Sequence, residues 1–536
     1  MKILLYADDI TLFLQNRQDL EQALAILNSF SVFSCLEINR NKTEAMWVGS
    51  EAGNREEYGG IKWGEELKIL GVHFSNTIST SLNEKNWEKK INKIKELIAI
   101  WSKRNLSISG KVVIIKTFLI SQFVYLMQSL VLPDHVLNAI NTLIFRFLWK
   151  KKNTNTKAFE KIKRKVMCNT YENGGIQMLN IKDMQCSFLI SWTINLLHSK
   201  EEKWSLIPKF LFSEHSPNLS CFKCNATLKN FVGIDHIRSV FWKKSLVTWL
   251  DNKCKLDLFK DKSFRKLTDN CLWNNEQIKY RGKCLYLRDW SRMGINCIED
   301  FKNPNILSFR QIVEKVGNSA CRLFEYNALS TAIRSLEARN LPVNVDENYF
   351  LTNSKIYSAK DIRRQIIKET TVQPCSVHFW QHKLNVTLTP AHWMVSRVCT
   401  NEERLRLLHF KIIHNIYPTS ILLNKMKIKI NNLCSECKVV DYIEHFFFHC
   451  KVIKKVWIEC QNYIFTCINQ IINLNEKDVL FGYKVYETNT KEIRFINHVI
   501  LITKMIISKY KYGKSIDIVF LFNHEINIRK KFLHPI

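Results

Sequence analysis

Near the start of the chain, two aspartates stand side by side between two short apolar runs. Ile3-Leu4-Leu5-Tyr6 leads into Ala7-Asp8-Asp9, and Ile10-Thr11-Leu12-Phe13-Leu14 follows. Each run has the length and composition of a short strand, so the stretch reads as a β-hairpin with both acids at its tip. Adjacent like charges on a tight turn repel, and the arrangement costs stability unless a cation neutralises it. A hard divalent ion with oxygen ligands would do so, and phosphoryl transfer is a chemistry that needs such ions. The plainer alternative is an Asp-bearing turn. Tyr-Ala before the acids and apolar strands on both sides favour the metal reading.

Charge along the chain fits an anionic partner. The net charge is +30, but residues 1–66 carry 6 basic and 11 acidic side chains, whereas residues 81–170 carry 18 and 5. An acidic end followed by a strongly basic segment suits a polyanion that reaches toward the acids. The longest apolar stretch, 112–132, is broken by Lys116, Gln122 and Gln128, so a membrane span is not expected. Asp8 and Asp9 arrive too early for residues 1–7 to open a signal peptide. Seventeen cysteines, an odd number and mostly scattered singly, point to a reducing, intracellular setting, nucleus or cytoplasm, with one metal site.

Past the hairpin, Asn16 and Asp19 form a capping pair. Leu20, Leu24, Leu27 and Phe30 then recur at helical spacing, giving a helix to about Ser34. A turn at 39–42 precedes an expected strand at 45–48, a polar loop at 51–60, and a further strand at 67–74 in which Gly71 marks a bulge or close approach. From 83 to 152 the pattern is helical, with Trp87, Ile91, Ile94, Ile98 and Trp101 on one stripe and lysines between them. Leu106-Ser107-Ile108-Ser109-Gly110-Lys111-Val112 fails as a phosphate-binding loop, because Asn105 and Val112 occupy the first-glycine and hydroxyl positions. The run 145–152, Phe-Arg-Phe-Leu-Trp-Lys-Lys-Lys, mixes aromatics with cations as single-strand binders do, or else is core ending in a solvated helix terminus. Asn173-Gly174-Gly175-Ile176 is a turn signal. Residues 200–390 read as mixed helices rich in Trp and Phe. Within them Cys221 and Cys224 are a weak zinc candidate, with His215 and His236 badly spaced as companions.

The second informative cluster is Cys434-x2-Cys437-x7-His445-x4-Cys450. A Cys-x2-Cys turn lets two thiolates hold one ion, and a later His/Cys pair completes a tetrahedron with no position left for water, as in a structural zinc site. The loop to be closed is short, so its entropic cost is modest. His449 is the alternative to Cys450 as fourth ligand. Cys450 is preferred because His445 and His449 cannot both be needed beside three thiols.

Taken together, these stretches resemble reverse transcriptases of the non-LTR retrotransposon type, where Tyr-Ala-Asp-Asp is the form of the catalytic hairpin. The resemblance implies Asp8 as the principal magnesium ligand, Asp9 as its neighbour and Tyr6 near the primer end. Ile38-Asn39-Arg40-Asn41-Lys42-Thr43 is similar to the segment after the family's post-catalytic helix. That match would put Lys42 near the incoming triphosphate, a solvated turn lysine being the equal alternative. Leu67-Lys68-Ile69-Leu70-Gly71-Val72 resembles the primer-grip hairpin, and the Ser-Gly-Lys stretch the start of a thumb helix. Cys434, Cys437, His445 and Cys450, with Trp457 after them, resemble the family's C-terminal zinc knuckle. His409-Phe410-Lys411-Ile412-Ile413-His414 resembles the helix before it, its histidines read as structural or facing nucleic acid.

The implied architecture is α+β, mostly α. It comprises a partial palm at 1–80, a helical thumb at 81–165, a helical connector at 166–390, a helix plus knuckle at 391–465 and a helical tail at 466–536. The implied activity is RNA-directed DNA synthesis with magnesium, on an RNA template and a DNA primer. In the family an indispensable Asp lies on a strand upstream of the hairpin, so the expectation is a truncated polymerase, catalytically incomplete alone. The alternative is a non-catalytic nucleic-acid-binding protein built from thumb and knuckle.

Overall fold

The computed structural model describes residues 2–54, 56–76, 80–149, 160–199, 202–213, 219–257, 270–302, 305–317, 322–338, 358–487, 490–513 and 517–529. Helices dominate, and the strands form four separate two-stranded ribbons. The described residues make two compact units, one of residues 1–101 and 121–130, the other of 102–120 and 131–536. Among the described residues no single helix is long and apolar enough to cross a membrane.

In the first unit, strands Lys2–Tyr6 and Asp9–Phe13 pair antiparallel with Tyr6 opposite Asp9. The helix Arg17–Ser34 starts where the capping pair predicts: Asn16 accepts from the Asp19 N–H at 2.9 Å, and Asp19 accepts from the Gln15 N–H at 3.1 Å. Its expected core stripe is only partly covered, with Ala23 buried and Phe30 57% exposed.

The strand expected at 45–48 shrinks to Glu44–Ala45, paired parallel with Lys62–Trp63. Beyond it, Trp47 leaves the ladder to stack on Trp63 at 4.7 Å. The stretch 67–74 is a hairpin rather than one strand. Glu66–Ile69 pairs with Val72–Ser75 around Leu70 and Gly71, which both have positive φ (47° and 82°), the pattern that matches the twist of the flanking strands.

Helix Thr80–Ser102 packs as its spacing predicts, with Trp87 and Ile94 fully buried. The Asn86 side chain holds both the N–H and the C=O of His73, at 2.9 and 3.0 Å, which fixes the second hairpin to this helix. The Tyr125 hydroxyl donates to the Leu70 carbonyl at 2.8 Å and closes the same hairpin's turn.

In the second unit, Ser107 caps helix Ile108–Ile114 by accepting from the Gly110 N–H at 3.0 Å. Lys111 donates to the carbonyls of Phe147 and Leu148, at 3.1 and 3.4 Å, at the end of helix Asp134–Trp149. A cation there satisfies carbonyls the helix leaves open, which gives this lysine a structural task. Phe145 and Phe147 are buried, so these two rings are core and not a stacking platform. Lys150, Lys151 and Lys152 lie outside the described residues.

Gly174 and Gly175 are where the chain turns back onto the C-terminal helices. Gly174 has φ +74°, and a Cβ on Gly175 would stand 2.0 Å from the Asn169 carbonyl oxygen. The C-terminal core runs from Val377 to Ile526 and is threaded by helix Lys491–Tyr512, whose residues 499–507 are buried on every side.

Candidate functional site

Two of the stretches singled out in the sequence are built as local structures. At the opening hairpin, pairing of Tyr6 with Asp9 leaves Ala7 and Asp8 as a two-residue loop, and Ala7 carries φ +52°. An alanine in the left-handed region costs roughly 1–2 kcal/mol, so the tip is held against its local preference. Asp8 and Asp9 are adjacent and exposed, and Tyr6 is 67% exposed. Lys42 sits exposed in the turn Arg40–Lys42, where the Asn39 side chain accepts from its N–H, and no ion pair joins it to Asp8 or Asp9. Among the described residues no third acid joins the two aspartates in a group of metal-binding size.

The second structure is the Cys/His cluster. Its first half is a small loop in which the Cys434 N–H donates to Val439 and the Lys438 N–H to Cys434, at 2.8 and 3.1 Å, with Lys438 at φ +59°. This turn brings Cys437 back beside Cys434. Its second half is a π-turn, His445–His449, closed by the Cys450 N–H donating to the His445 carbonyl at 3.0 Å. The wider turn sets residues five apart on one side, so His445 and Cys450 face the loop together. Phe446 and Phe447 are buried beneath it, and Trp457 donates from Nε1 to the Phe447 carbonyl at 2.9 Å.

The ligand atoms of Cys434, Cys437, His445 and Cys450 all lie within 4.8 Å of one another. The Cys450 sulfur is 4.0 Å from that of Cys434 and 3.5 Å from that of Cys437. A tetrahedral zinc with ~2.3 Å bonds to sulfur separates its sulfurs by ~3.8 Å, so the donor set fits that ion. His445 Nε2 is buried without a hydrogen-bond partner, as a metal-directed nitrogen would be before the ion is in place. His449 points elsewhere, its Nε2 lying 2.7 Å from Glu476 Oε1.

Electrostatics in the cluster act on the donors in both directions. Burial, followed by the Lys511 charge, lowers the His445 pKa, which keeps the imidazole neutral with a free lone pair. Burial pushes the Cys450 thiol up to about 11. Burial also acts upward on Cys437, but the Lys451 N–H and the Cys450 and Cys434 thiols outweigh it and lower this one. At neutral pH the metal-free site therefore keeps at least one proton that an arriving cation must displace.

The remaining sequence candidates are structural. His409 Nε2 faces the His392 carbonyl at 3.3 Å, and His414 Nε2 faces the Gly174 carbonyl at 2.7 Å, both rings being buried. Cys221 and Cys224 are buried thiols whose pKa burial raises, and Cys224 Sγ donates to the Cys221 carbonyl at 3.2 Å. His215 and the side chain of His236 lie outside the described residues. Sequence reasoning missed Asp441 and Lys511, which pack against the cluster. Lys511 comes from a helix far along the chain, so no spacing could have announced it.

Residues 1–74 match the family model described as reverse transcriptase (RNA-dependent DNA polymerase). The opening segment is thus similar to reverse transcriptases. A putative ribonuclease H protein of Arabidopsis thaliana is 24% identical over 126 residues, which is 24% of this chain and 20% of that relative. The chain thus matches about a fifth of that relative's length. The reverse-transcriptase segment takes in the acidic hairpin, the helix Arg17–Ser34 and most of the Leu70–Gly71 hairpin. The Cys/His cluster lies outside it.

Proposed function

We propose that this chain is part of a non-LTR retrotransposon reverse transcriptase, comprising the catalytic end of the palm, the helical thumb and connector, and a zinc knuckle. Asp8 and Asp9 supply carboxylates for magnesium, with Asp8 the principal ligand. Tyr6 borders the primer end, and Lys42 stands near the incoming triphosphate. Cys434, Cys437, His445 and Cys450 hold a structural zinc. The partners are an RNA template and a DNA primer, and the setting is intracellular, where the described cysteines, each outside any disulfide, stay reduced. The observation that carries this reading is the exposed Asp-Asp pair at the tip of a hairpin within the reverse-transcriptase segment.

Magnesium would supply charge neutralisation of a transferring phosphoryl group. This chain's part is to hold two adjacent carboxylates at the hairpin tip, Asp8 in the loop and Asp9 at the start of the second strand, where charge develops. Two-metal transfer needs carboxylates from more than one element. Only this pair is present among the described residues, which favours a second reading: nucleic-acid binding without catalysis by the chain alone.

One experiment separates the possibilities. Purified chain is titrated with a fluorescent RNA–DNA primer-template at several salt concentrations, then offered dNTPs and magnesium. Binding that weakens steeply with salt is expected from phosphate contacts, with no primer extension. Extension abolished by Asp8→Ala would show that the hairpin works with the groups this chain provides. Salt-insensitive or undetectable binding would sink both readings.

A further inference from the structure

Lys511, from the C-terminal helix Lys491–Tyr512, packs on Phe446, the residue that follows the candidate ligand His445. The Lys511 side chain is 8% exposed, and its Nζ makes no hydrogen bond. Its nearest anionic neighbour is Asp441 Oδ1 at 4.0 Å, and the Phe446 ring centroid lies 4.4 Å away. Asp441 has committed its other oxygen to the Ser420 N–H and hydroxyl, at 3.2 and 2.8 Å, and its Oδ1 has no hydrogen-bond partner either. Two other lysines near the cluster are engaged. Lys383 pairs with Glu444 at 2.6 Å, and Lys429 donates to Ser420 Oγ and the Leu433 carbonyl at 2.7 and 3.0 Å. The Lys511 charge acts on Cys437, His445 and Cys450 alike.

A buried ammonium that donates no hydrogen bond and meets its carboxylate partner only at 4.0 Å is incompletely compensated. A metal centre would complete the compensation. Three thiolates, one neutral imidazole and a divalent cation sum to one net negative charge, and sulfurs ligating a metal accept hydrogen bonds. We propose that Lys511 is the counter-cation of the Cys434–Cys437–His445–Cys450 metal centre, so that the C-terminal helix forms one wall of the site and helps set its affinity. This rests on the metal reading of the cluster and adds a positioning residue to it. A consequence is that the metal and the end of helix Lys491–Tyr512 stabilise one another.

The test is a competition titration of zinc on the full chain against a chromophoric chelator. Lys511→Met should bind zinc ~10–100-fold more weakly, the usual effect of losing an outer-shell partner, whereas Lys511→Arg should stay near the unaltered protein. Lys455→Met, which removes the same charge from an exposed position on the helix Lys454–Ile468 that follows the cluster, should also stay near it. Hydrogen exchange on the unaltered chain supplies a readout that needs no variant: chelating the zinc should unprotect the last two turns of the helix, through Tyr512. Equal affinity in Lys511→Met, or protection there that ignores the metal, overturns the role of Lys511 and leaves the metal reading standing. Failure of the unaltered chain to bind zinc at all overturns both.

Discussion

Lys504 should be destabilising at neutral pH, and replacing it by methionine should strengthen the C-terminal core. The side chain is fully buried in helix Lys491–Tyr512, and its Nζ donates to the Leu480 carbonyl at 3.2 Å. Burial drives its pKa from the usual 10.5 down to about 7. That interval corresponds to about 4–5 kcal/mol, with most of the penalty present at pH 7. Between about pH 7 and 10.5 the unfolded chain holds a proton that the folded chain lacks, so stability rises with pH across this window by up to about 1.4 kcal/mol per pH unit. It levels off above the window, and below it the full penalty remains. Methionine keeps the length and the apolar contacts but gives up one hydrogen bond, worth about 1 kcal/mol. The net gain at pH 7 is therefore on the order of 2–4 kcal/mol. Cys460, fully buried in the same core, reports the transition: each point of an equilibrated urea series receives an alkylation pulse too short for folded chains to open, and the labelled Cys460 peptide is quantified by mass. The variant's midpoint should exceed that of the unaltered protein at pH 7, and the gap should narrow toward pH 10. A lower midpoint at pH 7, or a gap that does not change with pH, refutes the reasoning.

Two further substitutions test the packing that surrounds the sites. Gly175→Ala forces a Cβ against the Asn169 carbonyl, where backbone must shift. About 3 kcal/mol of destabilisation is expected, read as an early melting transition with exposure of Trp393. Asn86→Ala strands the N–H and C=O of His73, at a cost of about 2 kcal/mol. The His73 amide should lose hydrogen-exchange protection, while protection of the C-terminal helices stays as it was.

Features determined over a few residues were legible in the sequence. The Asn16–Asp19 cap, the acidic hairpin and the grouping of Cys434, Cys437 and His445 with Cys450 each follow from spacing, because the partners are neighbours along the chain. Readings that depended on what covers a face fared differently. Helical periodicity at Leu20, Leu24 and Leu27 told which side is apolar, not how much of it is packed. Phe145 and Phe147 carry the same sequence signal whether they stack on bases or fill a core. Strand propensity alone hid the turn in 67–74, because Leu70 is an unusual choice for positive φ, whereas the resemblance to a primer-grip hairpin implied it. Lys511 was invisible for a different reason: its relation to the cluster is made entirely by folding the last long helix back over it.

The π-turn at His445–His449 makes the distance along the chain between the imidazole and the final thiol a fixed quantity. Adding or deleting a single residue there would rotate one donor away from the other three, because the turn closes on a count of five. Any variant of this protein that lengthens or shortens the interval after His445 should therefore fail to bring the four donors together, whatever cysteines it retains.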